Sequence, residues 1–380
     1  MKKNVHVLII LILSVFIWKC NDRNENYSEL NDTSYNENEK ILVNIGKSNK
    51  EIYFSFPRIK DLKVERIWKK FNLNFKLKIG GINSDILFFP TNIKIDKNEN
   101  MYVLDWRDYS VKKFSKDGIL IEKFGKKGNG PGEFTKVFNF DVDNSGNVAI
   151  INPNDNKFAV FNNKIVYEFK CTLMPGNIAF TDPDEVVTFQ FMDPLTQSPF
   201  QKVNYKNNTI IEYQNIFNKN SFEGKDFGML PFLVGEIHRY KSSNIIYISS
   251  IMGYVILFSE TGKISNVFKL IDNIKESGLT KNEGRIGKND LQFVTFPKKE
   301  DYLFLSSNVY GDNLFVLSNQ VKRNEGEYVV DVYSLKYLSY KNSFLLENMD
   351  KINQIFFADD KFYITKENTE IEVFEYSIAD

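Results

Sequence analysis

The chain has 380 residues, with 49 basic and 49 acidic side chains and no formal net charge. That balance offers no electrostatic funnel for nucleic acid. With 34 Phe, 19 Tyr and only two cysteines, the chain can fill a sizeable core but has no disulfide framework.

In chain order, the first segment is a targeting signal rather than part of a fold. Lys2 and Lys3 make a positive start, and Val5 to Trp18 is an apolar run too short for a comfortable membrane span. Cys20 follows, and polar chain begins at once. The pattern resembles a bacterial lipoprotein signal over residues 1–20, which implies lipidation at Cys20 and export of the body. Lys19 stands where that pattern has a small residue, which leaves an uncleaved anchor or another secretion signal as the alternative. Residues 21–40 are rich in Asn, Asp and Glu and bury too little to offset chain entropy, so they read as a flexible tether. Residues 41–380 read as a single domain.

Strand signals fill the rest. Residues 51–56 read as an extra strand or an edge cover. Residues 71–79, FNLNFKLKI, alternate strictly between apolar and polar. A repeat then appears: Ile93 to Asp105 matches Phe140 to Asn152 at an offset of 47 residues, without a gap. Each copy gives an alternating strand, an Asp, an Asn-rich turn, an apolar strand, a polar loop and a strand ending in Phe114 or Phe161. Looser copies open at Asn244, Asn313 and Lys361, and residues 177–217 hold a degenerate one. Six units of about 40 to 50 residues result, the size of a four-stranded blade. The last unit offers only three strands, at 354–358, 361–365 and 371–376. Residues 71–79 can supply the missing outer strand and close a ring. Residues 214–236 read as a long irregular connection, and 271–291 as an insertion before the fifth blade with room for a short helix.

Between the two clearest copies lies Gly128-Asn-Gly-Pro-Gly-Glu-Phe134, preceded by Phe114-Ser-Lys-Asp-Gly118 and Glu122-Lys-Phe-Gly125. This run resembles the signature of the six-bladed β-propeller lipoproteins of Bacteroidetes-type bacteria, relatives of the NHL-repeat propellers. The resemblance covers about residues 60–380 and is specific over about 90–165. It implies an all-β fold, with six blades of four antiparallel strands. It also implies export to the periplasm-facing or outer-membrane side of the envelope, with the cell surface as a further location. No shared catalytic residues define that family, so none are implied here.

The chemistry-bearing residues are few. Gly125-x-x-Gly128-x-Gly130 superficially suggests a phosphate cradle, but a strand follows it where that chemistry needs a helix N-terminus. It reads instead as a turn between blades, with Phe134 packed between sheets. His6 lies in the signal, which leaves His238 alone. One histidine cannot build a zinc site of several imidazoles, and His238 reads as a surface or interface residue of the long connection. Cys171 reads as a small buried hydrophobe.

No cofactor is expected. Calcium is the ion the carboxylates allow, through Asp105, Asp108, Asn152, Asn154 and Asp155 in matching loops. Trp106, Arg107, Tyr109 and Asp155 are the candidate ligand-binding residues, since aromatic faces stack on sugars and cations and Arg forks onto a carboxylate. The reading is of a monomeric, non-catalytic module that binds a protein, peptide or glycan and touches the membrane only through its lipid. The alternative is a histidine-free, calcium-dependent hydrolase of lactonase type.

Overall fold

The computed structural model describes residues 40–379, apart from 46–47, 57–58, 63, 82, 163–164, 192–197, 219–233, 273–279, 287–288, 295–301, 322–323, 350 and 367–368. The signal, Cys20 and the tether up to residue 39 lie outside the described residues.

Six four-stranded antiparallel sheets dominate the chain. Blade 1 is built of Pro90–Ile95, Met101–Asp105, Ser110–Phe114 and Leu120–Phe124. Blade 2 repeats it with Phe140–Val142, Val148–Asn152, Lys157–Asn162 and Ile165–Lys170. Blade 3 runs from Pro175–Asp182 to Thr209–Glu212, blade 4 from Gly235–Tyr240 to Ile264–Lys269, and blade 5 from Phe304–Tyr310 to Ser339–Leu346. Blade 6 holds Ile352–Ala358, Lys361–Lys366 and Glu370–Ala379, and takes its fourth strand, Lys70–Gly80, from the other end of the chain. The first strand of each blade touches the first strand of the next, and blade 6 touches blade 1. The fold is a six-bladed β-propeller.

Aromatic and β-branched side chains on alternating positions build these sheets, because both faces of every blade need an apolar neighbour. The buried residues fall into six clusters, one at each junction between blades. Leu104 and Val111 of blade 1 meet Phe140 and Ile150 of blade 2, for example, with Phe134 from the connecting loop in the same cluster. Each buried Phe contributes about 2 kcal/mol. Gly125 opens that loop with φ +84°, and a Cβ there would lie 2.5 Å from the Phe134 ring. Only glycine satisfies both constraints.

The closing strand does more than its alternation suggests. Lys70–Gly80 pairs antiparallel with Glu370–Ala379, with a bulge between Phe75 and Leu77. A bulge turns later side chains to the opposite face. Phe71 and Leu73 therefore pack into the cluster between blades 5 and 6, while Leu77 and Ile79 pack into the one between blades 6 and 1.

The described residues between Phe54 and Lys69 form a strap that leads into this strand along the rim. Phe54 bridges Phe217 beyond blade 3, Lys60 bridges Phe268 on the outer strand of blade 4, and Trp68 bridges Ser343 on the outer strand of blade 5. Phe54, Phe56 and Ile59 are buried among blades 3 and 4. Arg66 fixes the strap's far end. Its Nε donates to Asp331 Oδ1 at 3.0 Å, and its Nη2 to Asp331 Oδ2 at 2.9 Å and to Asp272 Oδ2 at 2.6 Å. Burial pushes the Asp331 carboxyl up, and the bidentate Arg66 opposes that push.

Residues 271–291 carry no described helix. Thr280–Ile286 and Asn289–Val294 form a hairpin there. It joins a second hairpin, Lys40–Ile45 with Ser48–Tyr53, through a short parallel pairing of Asn44 and Ile45 with Thr280 and Lys281. The local sequence allows helix or strand, and a partner far away in the chain decides for strand.

Removing Arg66 leaves a buried carboxylate without its cation. Arg66→Ala is expected to lower unfolding free energy by about 3 kcal/mol, with Asp331→Asn in the same chain restoring part of the loss. Urea titrations of the two variants check this, and an unchanged midpoint for Arg66→Ala contradicts it.

Candidate functional site

The six innermost strands line the central channel, and each presents an unpaired sheet edge to its neighbour. Side chains close every junction. Gln354 accepts from the Ile93 amide at 2.6 Å, Asp141 from Phe180 at 2.8 Å, Glu236 from Ser307 at 2.8 Å and Asn308 from Phe357 at 2.7 Å. Asn92 donates to Asn139 at 3.3 Å, and Asn177 to the Gly235 carbonyl at 3.2 Å. Lys94 pairs with Asp141 at 3.1 Å.

His238 belongs to this ring, not to a connection and not to the surface. It lies on Gly235–Tyr240, the inner strand of blade 4, and is buried. The run Glu-Ile-His-Arg-Tyr looks too polar for an inner strand, but its polar groups find partners across the junction. His238 Nε2 lies 2.8 Å from Ser307 Oγ, and the same hydroxyl donates to Glu236 at 2.5 Å. A histidine, a serine and a carboxylate thus meet, but not as a relay. Glu236 approaches the same ring nitrogen, at 3.4 Å, and already takes the hydroxyl proton. Nε2 is left to donate to Oγ, so it cannot withdraw that proton. Burial above all lowers the His238 pKa and keeps the ring neutral, against the pull of Glu236.

The ligand candidates lie elsewhere. Strands of a blade alternate in direction, so its connections divide between two faces. One face carries hairpin turns. The other carries the links from second to third strand and all connections between blades, and is the connection face. On it, Trp106–Asp108 forms a 3-10 turn capped by Tyr109 at φ 55°, ψ 37°. Blade 2 makes the same turn with Pro153–Asp155, capped by Asn156 at φ 49°, ψ 46°.

Beneath the blade 1 turn, Asp105 accepts from the amides of Phe88 and Phe89, both at 2.9 Å, and pairs with the buried Lys112 at 2.8 Å. Lys112 also meets Asp108 at 2.8 Å and the Ile86 carbonyl at 2.7 Å. Burial works against the Asp108 charge, yet Lys112 and Lys123 hold its pKa below the ordinary value. Lys112 was invisible to sequence reasoning, because its burial depends on the preceding loop folding over it. Trp106 is 43% exposed and its ring stands 6.0 Å from that of Phe89, with the Arg107 guanidinium 5.4 Å above Phe89. In blade 2 the roles are neutral: Asn152 and Thr135 both donate to Asp155, at 2.6 and 3.2 Å.

The structure therefore brings Trp106, Arg107 and Tyr109 together and places Asp155 in the neighbouring blade's turn. The carboxylates considered for calcium are already engaged, Asp105 by two amides and a lysine, Asp108 by two lysines. Among the described residues no group of three His, Cys, Asp or Glu side chains is placed to hold a metal. Cys171 is buried, and burial pushes its thiol up to about 12, so it is inert at neutral pH. Among the described residues no helix is long and apolar enough to cross a membrane.

Known proteins agree with this architecture. Residues 83–270 match the model of a family described as 6-bladed beta-propeller. No curated protein matches the chain in sequence. A Bacteroides fragilis protein named for its presumed export is similar in structure, with a TM-score of 0.55 at 15% identity, over 85% of this chain and 100% of that one. A member of the duf4221 family from Bacteroides vulgatus gives 0.55 at 10% identity, over 82% and 99%. Virginiamycin B lyase from Staphylococcus aureus gives 0.51 at 14% identity, over 80% and 99%. At such identities the likeness concerns the fold alone.

The histidine makes a pH prediction. The unfolded chain takes up its proton near the ordinary value of 6.5, and the folded chain only at lower pH. Below 6.5 the unfolded state binds more protons, so stability is full above that value and falls as pH drops toward the folded pKa. Urea midpoints are expected to decline over that acid range, and His238→Gln to flatten the decline. An equally steep decline in the variant contradicts the assignment.

Proposed function

We propose that the chain is an exported binding module, anchored by lipid at Cys20 to the outer or periplasmic side of a bacterial envelope. It presents a ligand site on the connection face of its propeller. The observation that carries this reading is the division of labour between channel and face. The chemistry-bearing groups of the channel, His238, Ser307, Glu236, Asp141 and Lys94, are committed to one another and to backbone amides at blade junctions. Trp106 and Arg107 stand exposed on the connection face, with Tyr109 half-buried beside them.

The state of His238 favours binding over catalysis. A catalytically inactive form of virginiamycin B lyase carries a histidine-to-alanine substitution. Here the one histidine beyond residue 6 is buried, neutral and donating, which suits a strut better than a base. The name of the Bacteroides fragilis neighbour agrees with export. The module acts as a monomer, with no nucleic acid partner, and its ligand is a protein, peptide or glycan.

Lipid anchoring is tested by fractionation. Wild-type protein is expected in the membrane fraction and Cys20→Ala in the soluble exported fraction. Equal membrane retention of the two overturns the anchor.

A further inference from the structure

The internal repeat supplies its own control. The turns at 106–109 and 153–156 have the same backbone and the same capping geometry, and both hold an Asp at the third position of the turn. Blade 2 builds its turn from Pro-Asn-Asp-Asn, residues that suit it locally: Pro presets the first φ, and Asn tolerates the left-handed cap. Blade 1 builds it from Trp106, Arg107, Asp108 and Tyr109. The scaffold requires neither the indole nor the guanidinium. It is strained by the tyrosine, which holds a left-handed conformation at a cost of about 1 kcal/mol. Three of the four residues thus depart from what the turn needs.

What they form is a shelf. Trp106 is 43% and Phe88 42% exposed, and Phe89, next to Phe88 in the chain, stands edge-on to Trp106. Its base is rigid, since the Phe88 and Phe89 amides are held by the fully buried Asp105 and the Trp106 amide donates to the Phe89 carbonyl at 3.0 Å. Two cations border it. The Arg107 guanidinium lies over Phe89, and the Lys127 ammonium lies 5.4 Å from the Tyr109 ring centre. Neither cation has a carboxylate partner among the described residues. The carboxylates of the turn are neutralised from below, Asp105 by Lys112, and Asp108 by Lys112 and Lys123, while Asp85 stands exposed on the preceding loop. The surface therefore offers flat apolar faces edged by two unmatched positive charges.

Resting on the binding reading above, we propose that this shelf binds a chain of acidic sugars. Their apolar ring faces would lie on Trp106 and Phe88, and their carboxylates would meet Arg107 and Lys127. A neutral glycan leaves both cations unmatched. An acidic peptide matches the cations but has no regular flat face for the rings.

The test titrates full-length protein with polygalacturonate, dextran and polyglutamate by calorimetry. Polygalacturonate is expected to bind, with affinity falling as salt rises, while dextran and polyglutamate do not. Trp106→Ala should weaken binding by about tenfold or more, an effect typical of a lost stacking anchor. Arg107→Gln should weaken it and reduce its salt dependence. Asn154→Ala, at the matching turn of blade 2, should leave it unchanged. Melting curves check that each variant is folded. Equal binding of dextran, or an unaffected Trp106→Ala, overturns the proposal. Binding of polyglutamate that Trp106→Ala and Arg107→Gln abolish overturns the acidic sugar but leaves the binding face intact. Binding of none of the three polymers overturns the acidic sugar alone.

Discussion

The pairing of Lys70–Gly80 with Glu370–Ala379 is the contact on which the whole ring depends. A blade has two apolar faces and buries them only against its neighbours. An open ring would expose the faces of two blades at once. The closing strand prevents this with a single device, the bulge near Lys76, which sends Phe71 and Leu73 to one neighbouring junction and Leu77 and Ile79 to the other. The strap and Arg66 hold that strand's approach along the rim.

The second constraint lies at the centre. Inner strands are sheet edges, and an edge with unsatisfied amides invites foreign pairing. Here Gln354, Asp141, Glu236 and Asn308 each accept an amide of the next blade. The polar character of the channel follows from this need and does not by itself indicate catalysis. A serine, a histidine and a glutamate can then sit within hydrogen-bond reach and still act as struts. On the proposed reading, recognition falls to residues whose identity the architecture does not dictate, such as those of the blade 1 turn.

Much of the fold was legible because the repeat preserves local chemistry as well as hydrophobicity. Asp96 accepts from the amides of Asn98 and Asn100, and Asp143 from those of Ser145 and Asn147, in the same geometry 47 residues on. Turns of that kind are written in a few adjacent residues. Three features were not legible, each for the same reason. The bulge near Lys76 hides inside an unbroken alternation, because nothing local marks the shift in register. His238 looked like loop because its partners sit on blade 5. Residues 271–291 read as an insertion with room for a short helix because the sheet partner that draws Thr280–Ile286 into a strand begins at Lys40. Among candidate ligand residues, the sequence singled out Trp106, Arg107 and Tyr109 in blade 1 and Asp155 in the matching turn of blade 2. The exposure of Trp106 and Arg107 and the burial of Lys112 beneath them depend on the segment Ile86 to Phe89, which only the folded chain reveals.

The closing pair also sets a schedule. A ribosome makes Glu370–Ala379 nearly 300 residues after Lys70–Gly80, so the first of these strands stays unmatched through all of that stretch of synthesis. Bringing such distant segments together is entropically slow, and until it happens the strand's phenylalanines and free amides are open to misassociation. A chain of this design gains from being kept unfolded until both strands are made, and the proposed export would hand it over in that state.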